Sequence, residues 1–338
     1  DGVAAEHGFS ALLARVEGRV GPLGRDTLPA LRGLTALAGQ RGDGAAVRTL
    51  NARVLAVQRA LLAPDHPDIT TTLASLAYGQ YLGGQFEEAR VTYEEALGRR
   101  ERALGPDHVD VAGLLGQLAP VYAFLGRTAE AEAAAARAVR ALRQHLGPTH
   151  RRTVAAVITW AQMLEAAGRL DEAHAALAPV VDALAQGPGH PLRASALTTL
   201  GLIELGLRRP ARALEVLREA DALERRAAAS AGMGGGELAR LIGLAHLDLG
   251  QAAAAVGPLE QARVVLAATT RGGDDVQVVR VDALLAEALY ERGGAGGQAR
   301  ARELARQVLD HTEGEPRLAS ERERLRAWMA RRGLAPER

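Results

Sequence analysis

The stretch Gly84-Gln85-Phe86-Glu87-Glu88-Ala89 (GQFEEA) returns 42 residues later as GRTAEA (Gly126 to Ala131) and again as GRLDEA (Gly168 to Ala173). Each is a Gly followed five residues on by an Ala. The series continues through Ala213 in RRPARA and Ala255 in GQAAAA, with weaker members at Val47 in GDGAAV and Ala299 in GAGGQA, so the anchors from Val47 to Ala299 span six periods of 42. A fixed period of this size marks stacked units, none of which can bury its apolar face alone.

A second series runs in phase with the first: APDHPD (Ala63 to Asp68), GPDHVD (Gly105 to Asp110), GPTHRR (Gly147 to Arg152) and GPGHPL (Gly187 to Leu192). Its histidines, His66, His108, His150 and His190, lie 42, 42 and 40 residues apart. Two punctuation marks per period divide each unit into two segments. Leu73, Leu76, Ala77 and Gln80, then Leu115, Leu118, Ala119 and Tyr122, recur at i, i+3, i+4 and i+7, which is helical spacing. The second segments, such as TAEAEAAAARAVRALRQHL, are rich in strong helix formers. The Gly at the first junction can end a helix in the left-handed conformation, and the Pro and Asp of the longer loops suit the start of the next one. Each unit is predicted to be a helical hairpin.

Composition limits the chemistry. The 338 residues are 48% hydrophobic and 24% charged, with a net charge of +1, as expected of a folded chain. There is no cysteine, which excludes disulfides, thiolate nucleophiles and Cys-ligated metals. All 41 basic residues are arginine, which excludes a P-loop lysine and a Schiff-base amine. No run is long and apolar enough to span a membrane, and the start DGVAAEHGFS lacks the order of a signal peptide. The expected location is cytoplasmic. A first residue of Asp rather than Met suggests a segment of something longer.

With these residues the chain resembles the tetratricopeptide repeats of the long, kinesin-light-chain-like kind, whose loops read like LGPDHPD. The family places a small residue twelve positions before each Ala anchor, where the two helices cross, and Ala77, Ala119, Ala161, Gly201 and Gly243 match. Leu76, Leu118, Trp160, Leu200 and Ile242 precede them, where a bulky core residue is expected. The resemblance implies an all-α right-handed superhelix of about seven hairpins. Residues 1–24 are expected to form a lead-in helix (5–20), 25–312 the repeat array, and 313–338 a capping helix (315–332) and tail. Arrays of this kind are common in the C-terminal regions of bacterial Ser/Thr kinases and other multidomain regulators.

Candidate catalytic features dissolve on inspection. The four loop histidines sit one repeat apart, on the order of 10 Å for packed helices, whereas zinc needs nitrogens at about 2.0–2.1 Å from one ion. They read as structural, with Asp107, His108 and Asp110 capping the following helix. His145, His150 and His174 read as solvated surface residues. GMGGGE (Gly232 to Glu237) and GGAGG (Gly293 to Gly297) lack the GxGxxG spacing of a dinucleotide loop and read as loops. Acidic and basic residues number 40 and 41 and are interspersed, unlike the one-sided stripe of a nucleic-acid binder. No catalytic residue, metal or cofactor is implied, and the chain reads as no enzyme.

What remains is the concave face that the family builds from its first helices, at positions fifteen, eleven, eight and seven before the anchor. Here the candidates for partner binding are Tyr78, Tyr81, Leu82, Pro120, Phe124, Ile158, Gln162, Glu165, Leu202, Leu205, Arg240, Leu244 and Leu247. The stripe admits a core reading, in which neighbouring helices or the termini cover it. The functional reading is an apolar groove for a protein or peptide segment. Four buried apolar side chains contribute roughly 6–12 kcal/mol. Association costs of about 4–15 kcal/mol oppose this, so weak to micromolar binding follows. The clamp Lys and Asn of other family members are missing, so no ligand carries over. The alternative is a sensor whose superhelix changes shape when a small molecule or peptide enters.

Overall fold

The computed structural model describes residues 2–187, 189–228, 235–269, 276–313, 315 and 318–334. Among the described residues there are sixteen α-helices and no strand. Helix α1 (Gly2–Val20) and a short 3-10 turn lead into seven hairpins: α2 (Leu28–Gln40) with α3 (Gly44–Leu61), α4 (Pro67–Leu82) with α5 (Phe86–Leu104), and α6 (Val109–Phe124) with α7 (Thr128–Leu146). Then come α8 (Arg151–Ala166) with α9 (Leu170–Ala185), α10 (Arg193–Gly206) with α11 (Pro210–Ala228), α12 (Gly236–Asp248) with α13 (Ala252–Thr269), and α14 (Val276–Arg292) with α15 (Ala295–Thr312). Helix α16 (Ala319–Arg331) follows. The chain divides into two compact units, residues 1–163 and 164–338.

The hairpin turns are left-handed. Gly42, Gly84, Gly126, Gly168 and Gly250 take φ between +68° and +75°, a region closed to most side chains. At the equivalent point of RRPARA the chain has Arg208, which is forced to φ +60°. Of the predicted glycine-rich loops, GGAGG is mostly helix: Gly293 and Gly294 make the turn, and Ala295 to Gly297 already belong to α15. This shifts the register of the last hairpin. Ala299 is exposed, and the first buried residue of α15 is Ala301. In the other stretch, residues 232–234 lie outside the described residues, and Gly236 opens α12.

Hairpins close on the small residues. The anchors Val47, Ala89, Ala131, Ala173, Ala213 and Ala255 are at most 2% exposed. Gly201 lies so near the partner helix that a Cβ there would stand 2.5 Å from the side chain of Leu217, four residues after its anchor. Gly243 meets Leu259 in the same way at 2.5 Å. Where the second helix presents Ala135 instead, the first can carry Ala119, and both are buried in one cluster.

Three of the loop histidines are helix caps, and the fourth, His190, lies two residues before the N-cap Leu192 of α10. Nδ1 of His66, His108 and His150 accepts the backbone N–H of Asp68, Asp110 and Arg152 at 3.1, 3.1 and 3.2 Å. His190 accepts from Leu192 at 3.1 Å. The cap of α6 is therefore His108 itself rather than Asp107. Its extended backbone (φ −64°, ψ 145°) aims the ring back at the first turn.

These contacts make opposite predictions for like substitutions. Gly8→Ala, in open space on α1, is expected to raise stability by about 0.5–1 kcal/mol through helix propensity. Gly201→Ala is expected to lower it by about 1–3 kcal/mol, because Leu217 is fully buried and has nowhere to move. His108→Ala should cost about 1 kcal/mol and His108→Asn far less. Denaturant midpoints of the four variants check all three statements.

Candidate functional site

In the first unit the first helices present an aromatic cluster to solvent. Tyr78 and Tyr81, one turn apart on α4, hold their rings 6.5 Å apart. The edge of Tyr81 meets Phe124 at the end of α6 (5.7 Å) and Phe86 at the start of α5 (5.8 Å). Phe86 and Phe124 stack at 4.7 Å with ring planes 4° apart. Offset and edge-on pairs of this kind hold one another in fixed orientations. Tyr78 is 43% exposed and Phe124 61%. Burial raises the phenol pKa of Tyr81 above its ordinary value.

Leu82 and Pro120 are half-buried beside this cluster, and Gln162 is exposed on α8. Pro120 has no N–H, so the Gly116 carbonyl one turn earlier lacks its helical donor. Ile158, at 8% exposure, is a correction: it is core. Phe86 is the member that sequence reasoning passed over. It lies inside the GQFEEA punctuation, where the next two repeats have Thr128 and Leu170.

Charges around the cluster satisfy one another. Arg90 bonds Glu87 and Glu94, and Glu94 accepts from the Tyr122 hydroxyl at 2.9 Å. Arg127 sits 5.2 Å above the Tyr122 ring and pairs with Glu130. Burial and the bond to Glu94 push the Tyr122 phenol up to about 12. The face positions themselves, Ala74, Tyr78, Tyr81 and Leu82 on α4 and Gly116, Pro120, Ala123 and Phe124 on α6, carry no charge. A shallow furrow of about 460 Å³ lies elsewhere, between α7 and Trp160 of α8.

The second unit treats the same face differently. Leu202 is half-buried, and Leu205, at 7% exposure, is core, a second correction. Neighbouring Glu204 is buried, with His174 Nε2 at 3.2 Å and Arg209 at 3.6 Å, so His174 is a partner of a buried carboxylate rather than a solvated surface residue. Leu244 and Leu247 of α12 pack against the cluster that contains Leu325 and Trp328 of α16. Arg240 bonds Glu237 on its own helix and borders a cleft of about 190 Å³ shared with α14 and α16. Helix α16, packed on α14 and α15, borders this part of the face, and its Arg324 reaches Asp248 of α12 at 3.6 Å.

Among the described residues no group of three or more His, Asp or Glu side chains gathers to hold a metal ion, and no helix is long and apolar enough to cross a membrane. Residues 80–144 match the tetratricopeptide repeat family model. That stretch, less than half of the chain, is thus similar to tetratricopeptide repeats. A comparison with curated proteins gives no match. Among solved structures, a Podosopora anserina protein described as a kinesin light chain with nearly identical TPR-like repeats is 23% identical, covers 61% of this chain and 97% of its own, and has a TM-score of 0.52. BtubC of P. vanneervenii is 18% identical over 69% and 91% of the two chains (TM-score 0.53). The quorum sensor NprR of B. thuringiensis is 12% identical over 90% and 87% (TM-score 0.58). These likenesses establish a shared tetratricopeptide-repeat fold.

In tetratricopeptide repeats a residue on the first-helix face has to tolerate partial burial, and Glu165 shows the cost of a charge there. Burial raises its carboxyl pKa. The folded state therefore holds this proton to higher pH than the unfolded chain does, and stability falls as pH rises through the raised value. Glu165→Gln is expected to raise the melting temperature at pH 7. The gain should vanish below the ordinary carboxylate range, about pH 4.3, as a pH series of thermal melts will show.

Proposed function

We propose that the chain is a non-catalytic protein-interaction module that takes an apolar partner segment on the aromatic face of its first unit, within a larger bacterial signalling protein. The observation that carries this reading is the solvent-facing Tyr78–Tyr81–Phe86–Phe124 cluster in an array whose other large side chains are mostly buried. Rigid aromatic side chains lose little conformational entropy on contact, and they dominate the energetics of protein interfaces. The uncharged face favours apolar or proline-rich segments over acidic ones. The signalling context rests on the resemblance of the LGPDHPD-type loops to those of bacterial regulators.

The small-molecule sensor reading has less support. The half-open cleft of the second unit, about 190 Å³, is smaller than the roughly 300–1,000 Å³ of ordinary ligand pockets, and the furrow of about 460 Å³ beside Trp160 is shallow. Its remaining support is the fold shared with a quorum sensor, which is a property of that protein.

A peptide-display selection on the full chain tests the module reading. The wild type is expected to enrich a common apolar motif, and Tyr78→Ala with Phe124→Ala should reduce binding of that motif at least tenfold. With Tyr78 at 43% and Phe124 at 61% exposure, the double variant should stay folded, which a thermal melt checks. Equal enrichment by the double variant would place the docking site elsewhere.

A further inference from the structure

Helix α16 follows α15 and packs against α14 and α15, where the first helix of a further hairpin would stand. Leu318 at its N-cap and Leu325, Trp328 and Met329 within it are buried. Around them, opposite charges meet. Arg280 of α14 pairs with Glu321 at 2.8 Å. Arg324 reaches Glu287 of α14 at 3.4 Å and Asp248 of α12 at 3.6 Å, bridging two hairpins. Trp328 Nε1 and Arg332 Nε both donate to Glu291, at 3.1 and 2.6 Å.

The attachment differs from the packing inside the hairpins. Within the repeats, helices approach until a methyl group would clash, as at Gly201 and Gly243. Beside α16 a half-open cleft of about 190 Å³ lies between Arg240, Leu244, Leu284, Arg324 and Leu325, so solvent reaches one flank of the helix. The ion pairs are partly exposed, a class in which each contributes little. A helix held by one apolar strip and exposed ion pairs belongs to the elements that open locally before the whole molecule unfolds.

We propose that α16 is a displaceable resident ligand and that the face beneath it docks a partner helix of the same chemistry. Such a helix is apolar at the places of Leu318, Leu325, Trp328 and Met329, acidic at that of Glu321 and basic at that of Arg324. This is helix-in-groove recognition with charge complementarity fixing the register. The tether gives α16 an effective concentration on the order of millimolar, so an outside helix at micromolar concentration binds only when α16 is loosened. The site is separate from the aromatic face and does not rest on the reading proposed for it.

The test uses the full chain and a fluorescent synthetic peptide of residues 318–334, read by anisotropy. Arg324→Glu places a third carboxylate beside Glu287 and Asp248 and should release α16. The variant should then bind the native peptide at least tenfold more tightly than wild type does, while a peptide itself carrying R324E should bind neither. Equal binding to both proteins, or none to a variant that keeps its helix content, overturns the proposal. Hydrogen exchange on the unaltered chain gives a second measure that does not depend on how the variant folds. Exchange of α16 amides well before those of α14 supports displacement, and exchange of both only together marks a permanent cap and overturns it. Tyr78→Ala with Phe124→Ala should leave peptide binding unchanged, so failure of one site is distinguishable from failure of the other.

Discussion

The constraint from which the rest follows is the close approach of the two helices in each hairpin. Side-chain volume there is shared between the residue twelve places before the anchor and the residue four places after it. Gly201 faces Leu217, Gly243 faces Leu259, and Ala119 shares a cluster with Ala135. At Gly201 and Gly243 the first helix gives up its Cβ to a leucine, whereas Ala161 keeps its own where the second helix has Leu177. The left-handed turn belongs to the same device, because a chain reversing within a few residues delivers the second helix at a fixed phase. That geometry is worth enough for Arg208 to be held at φ +60° where the other repeats use glycine.

A helix with one side committed to that crossing has a limited choice for its remaining faces. One packs on the next hairpin, and the last is left to solvent, to a partner or to another part of the chain. In the first unit Ala77 and Ala119 are sealed in, while Tyr78 and Phe124 emerge on the uncovered side. Phe86 reaches the same spot from the start of α5 because its turn brings it beside the ends of α4 and α6. The cluster is thus assembled from three helix ends that only the fold brings together.

This explains which features could be read from residue order. The period, the turn glycines, the buried alanines and the crossing residues are local or strictly repeated, so spacing alone locates them. Ala299 misses the anchor place because α15 opens at Ala295, with glycines 296 and 297 inside the helix against their low intrinsic propensity, which makes Ala299 the fifth residue where the other anchors are the fourth. His108 rather than Asp107 caps α6 because only the residue with extended backbone next to the helix can reach the first turn. The burial of Ile158 and Leu205, the pairing of His174 with Glu204 and the seat of α16 depend on neighbours far away in sequence, and no pattern within one repeat encodes them.

Each unit then shows what its residues do to its own first-helix face. On α4 and α6 the face positions hold aromatic, aliphatic and glycine residues, whereas α12 has Arg240 and Asp248 there, and Arg280 and Glu287 of α14 lie beside α16. An uncharged face discriminates by shape and apolar area, and it tolerates a range of segments. A face with fixed charges of both signs admits only an occupant whose own charges fall opposite, since any other leaves an ion desolvated and unpaired. Helix α16 meets that condition through Glu321 and Arg324. The aromatic face of the first unit presents no such charges for these residues to meet, so the side chains that seat α16 on one face give it no corresponding advantage on the other.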